Sequence, residues 1–368
     1  MQPSAGLVTA LNKMREMSVK DGGVYHQYIP VVDENTDIAK FGQPILDSNL
    51  TPVYNEFFHL LKRIAFVAIN TKNFRNPLTF LEGDNLPLGY AGENIYVNPA
   101  NSVAFDCNDF AGLLEKYEAK MAVEYLTVNM DIQYKVTLTR EKIRTAFTSW
   151  GDLENFINGI INSLYNGAAI DSYRYTKNLV TSAFNDGRLR YEIVDEPTTE
   201  TKAKNLIKKF RQLYTEFQLP STKYNAWKQY AGEDAEPITT WSNPEDIVVF
   251  LRADVDAECS VEVLAKAFNM SETDFISRTV IVDDFSLYDN SGKKIYDGDN
   301  ILGGIFDKSF FKIRVQDFAM DEFYNANARA WTYFLNSTKL YNTSLFANAT
   351  LLTTSAPASK SDGSDGSK

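Results

Sequence analysis

Between Leu126 and Leu138 the residues Leu126, Val128, Met130, Ile132, Tyr134, Val136 and Leu138 share one parity, and Thr127, Asn129, Asp131, Gln133, Lys135 and Thr137 share the other. Strict alternation over this length predicts a single half-buried β-strand. The period then changes. Leu153, Phe156, Ile157, Ile160, Ile161 and Leu164 fall on one helix face, which predicts a long amphipathic helix over residues 152–184 with Trp150, Ile160, Ile161 and Leu164 in the core. The strand would extend roughly 43 Å and the helix roughly 50 Å, whereas a compact chain of 368 residues has a radius of gyration of about 21 Å. Two elements of that length imply a plate or wedge, a shape suited to tiling.

Around this rigid centre the pattern is more broken. Residues 1–60 combine a short helical spacing (Leu7, Leu11, Met14) with Gly22-Gly23, Pro30, Pro44 and Pro52, and read as an N-terminal arm with little regular structure. Residues 72–121 place Phe74, Phe80, Tyr90, Tyr96 and Phe105 among prolines and glycines. This segment is too aromatic for a linker and too punctuated for long elements, so an extended hairpin-like loop is expected. Downstream, Leu189–Val194 reads as a strand, and Ala203, Leu206, Ile207, Phe210, Leu213, Tyr214 and Phe217 trace a second helix ending before Pro220. Ile247–Leu251, Val280–Val282, Ile301–Phe306 and Phe311–Val315 are strand candidates, Ser260 caps a candidate helix reaching Phe268, and Asp289–Gly292 reads as a hairpin turn. An aromatic segment, Ala330–Leu335, leads back to the body. The fold class is α+β, and residues 355–368 are a Ser/Gly/Asp tail expected to be disordered.

Charge narrows the function. The chain carries 37 basic and 48 acidic side chains, a net charge of -11, which disfavours a nucleic-acid reader. The first residues lack the pattern of a secretory signal and no window is apolar enough to span a bilayer, so neither export by signal nor a membrane contact is expected. Cys107 and Cys259 are isolated thiols without metal or redox spacing, and Asn49, Asn269, Asn336, Asn342 and Asn348 head N-x-S/T triplets that read as chance in an Asn-rich chain.

No catalytic constellation emerges. His26 and His59 read as surface or core-edge residues, and GxSxG, HExxH, GxxxxGK[ST] and GxGxxG are all missing from the sequence. Asp254–Glu258 resembles half a calcium loop but lacks its glycine and terminal glutamate. No catalytic residue, metal or cofactor is assigned. The unusual feature is a stripe of Asn155, Asn158, Asn162 and Asn166 opposite Ile160 and Leu164. Asparagine and the glycines beside it are poor helix formers, so packing must hold this helix. The stripe reads either as a solvated face or as a subunit contact, together with Phe80, Tyr90, Tyr96 and Phe105.

The order of arm, aromatic loop, long strand, long helix and mixed domain resembles the tailed-bacteriophage major capsid proteins of the Hong Kong ninety-seven fold. Particular segments are similar to the major head protein of phi twenty-nine type podophages. They are Asn76-Pro77-Leu78 with Pro87-Leu88-Gly89, Thr145-Ala146-Phe147 with Ser149-Trp150-Gly151, Asp195-Glu196-Pro197-Thr198, Leu264–Met270 with Thr273-Asp274-Phe275, and Phe346-Ala347-Asn348-Ala349. Their number and collinearity carry the likeness, since none is a catalytic signature.

The resemblance implies an arm (1–60), a peripheral domain (61–71, 122–190 and 311–354) with the spine helix, an extended loop (72–121) and an axial α/β domain (191–310). It also implies an icosahedral shell of hexamers and pentamers in the virion, assembled in the bacterial cytoplasm with a scaffolding protein and a portal around double-stranded DNA that is not read by sequence. The type protein carries an immunoglobulin-like domain at its C-terminus where this sequence has the short Ser/Gly/Asp tail, so a surface-decoration role is not carried over, and no Lys/Asn pair with a positioned acid points to covalent cross-linking. A portal or tail protein is the nearer alternative reading and a carbohydrate-active enzyme or binder the more distant one. Portals usually carry longer helical stretches, and no carboxylate pair flanked by aromatics supports the enzyme.

Overall fold

The structure, a computed structural model, describes residues 2–65, 74–87, 92–103, 116–232, 234–259, 279–288, 293–296 and 298–357. The candidate helix from Ser260, the Asp289–Gly292 turn, Cys107, Tyr90, Phe105 and the tail beyond Pro357 lie outside the described residues, as do the side chains of Asn158 and Ile161. In chain order the elements begin with α1 (Ala5–Asp21), α2 (Tyr25–Tyr28), α3 (Ile38–Leu46) and α4 (Thr51–Ala65). Next come β1 (Gly92–Val97), β2 (Met121–Leu126), β3 (Met130–Thr139), α5 (Arg140–Ala146), α6 (Trp150–Asn185), β4 (Arg190–Ile193), α7 (Glu200–Phe217) and α8 (Trp227–Ala231). The chain continues through β5 (Ile247–Arg252), α9 (Ala253–Glu258), β6 (Thr279–Val282), β7 (Leu287–Tyr288), β8 (Lys294–Tyr296), β9 (Ile301–Asp307), β10 (Phe311–Asn325), β11 (Ala330–Thr343) and β12 (Ala349–Thr353).

Two compact units emerge. The first comprises residues 1–76, 130–172 and 317–338. Residues 1–60, expected to be irregular, are instead largely helical. Gly22 supplies the left-handed C-cap of α1 at φ 70°, and its neighbour Gly23 lets the chain pass so close to Glu56 that a Cβ would lie 1.9 Å from Oε1. The Glu56 carboxylate accepts hydrogen bonds from the Val24 and Tyr25 amides at 2.6 and 2.8 Å and from the Ser18 hydroxyl at 2.5 Å. Pro44 lies inside α3 and Pro52 in the first turn of α4. Much of the punctuation that suggested little regular structure therefore marks helix ends, Gly22 at the C-cap of α1 and Pro52 in the first turn of α4, while Pro44 is carried within α3.

Leu7, Leu11 and Met14 meet Phe41, Phe57 and Phe58 in one core with Leu138, Trp150, Ile157, Ile160 and Leu164. The apolar face of α6 meets the Tyr134, Val136 and Leu138 side of β3 in this core. The Tyr134 hydroxyl donates to Asp171 at 3.0 Å, and the indole N–H of Trp150 donates to the Thr36 carbonyl at 3.0 Å. The single strand expected over residues 126–138 is divided, however. Residues 127–129 break it between β2 and β3, which lie in different sheets. Asn129 forms part of the break, its side chain exchanging hydrogen bonds with the Tyr341 backbone at 2.7 and 2.9 Å. Alternation survives such a break when the interruption preserves parity.

The second unit comprises residues 77–129, 173–316 and 339–368. Its centre is a five-stranded sheet in the order β4-β12-β9-β5-β6. Strand β9 runs antiparallel to both β12 and β5, and the outer pairs β12–β4 and β5–β6 are parallel. Every residue of β5, β9 and β12 is buried, which explains their continuous apolar runs. The α7 face of Leu206, Phe210, Leu213 and Phe217 packs against the sheet. β12 sits between β4 and β9, and β6, the strand expected over Val280–Val282, is an edge strand whose Ile281 is exposed.

Candidate subunit-contact surface

β1 and β2 form a two-stranded antiparallel ribbon in the register Glu93↔Tyr125, Ile95↔Val123 and Val97↔Met121. Because side chains alternate across a strand, the ribbon has two faces, and the inner one is committed within the chain. Ala122 packs with Ile238, Leu345 and Phe346. The Tyr96 ring lies 5.8 Å from that of Phe346, and its hydroxyl donates to the Thr239 carbonyl. Glu124 is a buried carboxylate with three donors: the Asn94 amide at 2.5 Å, the Ser344 hydroxyl at 2.7 Å and the Leu345 N–H at 2.9 Å. These bonds offset the cost of burying a charge.

The outer face carries Ile95, Val97, Met121, Val123 and Tyr125, from 37% exposed at Val123 to 71% at Tyr125. Each fully buried side chain of this size is worth about 1.5–3 kcal/mol, so a contiguous patch of them favours a partner.

The residues proposed from sequence divide unevenly over this surface. Phe80 is exposed, at 46%, on a short turn over residues 79–81. Tyr96, expected to await a neighbour, is engaged within its own chain. Along α6, Asn155 is exposed and Asn162 and Asn166 are half-buried. The Asn166 side chain accepts the Phe74 amide at 2.9 Å, so part of the stripe already serves the chain's own backbone. Sequence reasoning passed over Ile95, Val97, Met121, Val123 and Tyr125. The signal was apolar residues at both parities of Gly92–Val97 and Met121–Leu126, the mark of a ribbon with two buried faces.

The charged groups read as structural. Lys177, buried on α6, pairs with Asp283 at 2.7 Å and Asp284 at 2.9 Å, and the Tyr173 hydroxyl donates to Asp283 at 3.0 Å. Burial opposes the Asp283 charge, but the Lys177 ammonium outweighs it and holds the carboxyl below its usual range. Arg252 forms a two-bond clasp with Asp254 at 2.6 and 2.7 Å, which places Asp254 in an ion pair within a short helix rather than in a calcium loop. Burial pushes the Cys259 thiol up to about 11, the character of an inert core cysteine. Among the described residues no cluster of His, Cys, Asp and Glu is suited to a metal, and no helix is long and apolar enough to cross a membrane.

Comparison with known proteins gives a consistent picture. A profile of the family described as Phi29-like phage major capsid protein matches residues 12–353. The chain is 28% identical over 352 residues to the major capsid protein of Bacillus phage PZA, covering 95% of this chain and 74% of that one. It is 30% identical over 335 residues to the major capsid protein of Bacillus phage B103, covering 90% and 70%. Among solved structures, the capsid of Staphylococcus phage Andhra aligns with a TM-score of 0.62 at 16% identity, over 78% of this chain and 86% of that one. A structure from bacteriophage P68, described as head fiber and inner core protein, aligns with a TM-score of 0.58 at 16% identity over the same shares.

Proposed function

The chain belongs to the Phi29-like phage major capsid protein family and has the Hong Kong ninety-seven fold, and from that premise we propose that copies of it close into an icosahedral shell by covering the outer face of the β1–β2 ribbon. The observation carrying this reading is the asymmetry of the ribbon. One face is saturated with intrachain contacts, while the other presents Ile95, Val97, Met121, Val123 and Tyr125 to solvent. A family that builds shells supplies the partner, a neighbouring copy.

In this reading α6 is the spine helix and the five-stranded sheet with α7 forms the axial domain. Residues 72–121 form the extended loop, β1 and the start of β2 lying at its base. Hexamers and pentamers enclose double-stranded DNA without reading its sequence, and a scaffolding protein and portal take part in assembly within the host cytoplasm. The acidic balance, -11 per chain, limits adhesion between shell and packaged DNA.

The test is particle formation by the full chain, produced with its scaffolding partner and measured by sedimentation and electron microscopy. Closed shells from the unaltered chain, and folded subunits that fail to close when Ile95 and Tyr125 are replaced by glutamate, are the expected results. A discrete small oligomer from the unaltered chain under every assembly condition would overturn the reading, and rings would favour a portal.

A further inference from the structure

Beside the ribbon lies a cleft of about 420 Å³ whose lining includes Tyr96, Val97, Trp241, Asp307, Lys312 and Phe346. Its polar walls are largely committed to one another. The Asn94 amide donates to Glu124 and to the Ser344 hydroxyl, the Thr240 hydroxyl donates to Asn348 at 2.6 Å, and Asp307 accepts from the Ser309 amide and hydroxyl at 2.8 and 2.6 Å.

Lys312 is the exception. Among the described residues no ion pair or hydrogen bond engages its ammonium. Burial pushes that ammonium down, with Glu124 and Asp307 acting on it only through their fields and Arg314 opposing them. The cleft also presents Trp241, 51% exposed, an aromatic surface with no ring contact of its own among those described. A half-buried cation that no described carboxylate touches, beside an uncovered indole, is half of a recognition pair.

We propose that this cleft receives a carboxylate-bearing peptide segment from a second copy of the chain, the carboxylate meeting Lys312 and its flanking apolar atoms lying on Trp241. The choice of a second copy rests on the shell reading and on continuity. Val97 belongs both to the cleft lining and to the exposed outer face of the ribbon, so a copy covering that face brings its chain to the cleft mouth.

Two measurements on full chains test the proposal. In the first, a benzophenone amino acid replaces Trp241, particles are assembled from a mixture of isotopically light and heavy chains, and cross-linked peptides are identified by mass spectrometry. Mixed light–heavy pairs that include an Asp- or Glu-containing segment are expected. Pairs of a single isotope (the chain's own segment), pairs with another protein, or no cross-link in particles that form normally would each overturn it.

In the second, Lys312→Met removes an ammonium that no described residue of its own chain contacts through a hydrogen bond or ion pair. The thermal midpoint of the subunit should therefore hold or rise, while particle yield falls roughly tenfold or more and Lys312→Arg recovers part of it. An unchanged yield, or a lowered subunit midpoint marking a purely structural lysine, would overturn the proposal. Failure of the unaltered chain to form particles would overturn the shell reading itself, and the inference with it.

Discussion

A carboxylate placed at Ile160 would sit 6% exposed in the apolar core that joins α6 to α1, α4 and β3. Burying an unpaired charge costs several kcal/mol, against about 5–15 kcal/mol of total stability for a domain. Ile160→Asp should therefore abolish soluble folded yield, whereas Asn162→Asp, at a half-buried position on another face, should fold and report only on assembly. Comparing folded yield with particle yield for the two variants decides this, and a well-folded Ile160→Asp would mean that the wrong face of α6 has been placed inside.

Gly23→Ala is a second residue-scale test. Its Cβ would collide with the Glu56 carboxylate that gathers the Ser18, Val24 and Tyr25 donors, and a loss of about 1–3 kcal/mol in denaturant unfolding is expected. The pair between Lys177 and Asp283 gives a pH dependence. The Asp283 carboxyl titrates lower in the folded chain, so its contribution is present above the unfolded carboxylate range, near 4, and is lost as pH falls through the lower folded value. Because its side chain is 66% exposed, solvent screens the effect. Asp283→Asn should flatten the acid limb of the thermal midpoint against pH slightly, and a steeper limb would contradict the assignment.

At the scale of elements, the ribbon is where free and assembled chains should differ most. The amides of β1 and β2 bond to each other, yet a two-stranded ribbon with one open face is only marginally stable. Hydrogen exchange over residues 92–97 and 121–126 should be fast in the free subunit and slow in the particle, while β5 and β9 are protected in both. Equal protection of the ribbon in the two states would count against its role as a contact.

The same elements indicate what a sequence can reveal. α6 and α7 were legible because long amphipathic periods survive without knowledge of their partners, and β5 and β9 because a fully buried strand is apolar throughout. The helical spacing of Leu7, Leu11 and Met14 was legible and belongs to α1, but α2 to α4 were hidden, since their glycines and prolines resemble those of a loop until the helices are seen to close around Phe57 and Phe58. The break between β2 and β3 was invisible to parity. Of the residues singled out for a contact surface, Phe80 is exposed whereas Tyr96 faces inward, and the outer ribbon face was passed over because no single chain explains why both parities are apolar.

For the whole molecule, net charge and hydrophobic contact oppose each other during assembly. Residues 358–368 contribute Lys360, Asp362, Asp365 and Lys368, two charges of each sign and almost no apolar surface. Removing them leaves the balance at -11, and particle yield should be unchanged; a truncated chain that folds but fails to assemble would mark the tail as a contact. Each incoming subunit meets a growing shell of like charge, and that repulsion acts over the Debye length, about 30 Å at 0.01 M salt and about 8 Å at 0.15 M. Burial of the outer ribbon face is short-ranged and nearly indifferent to salt across that window. The rate of assembly, followed by light scattering, should therefore rise steeply between those two concentrations and then level off. A rate that falls steadily with salt would mean that attractive pairs of the kind inferred at Lys312 outweigh the repulsion between whole subunits.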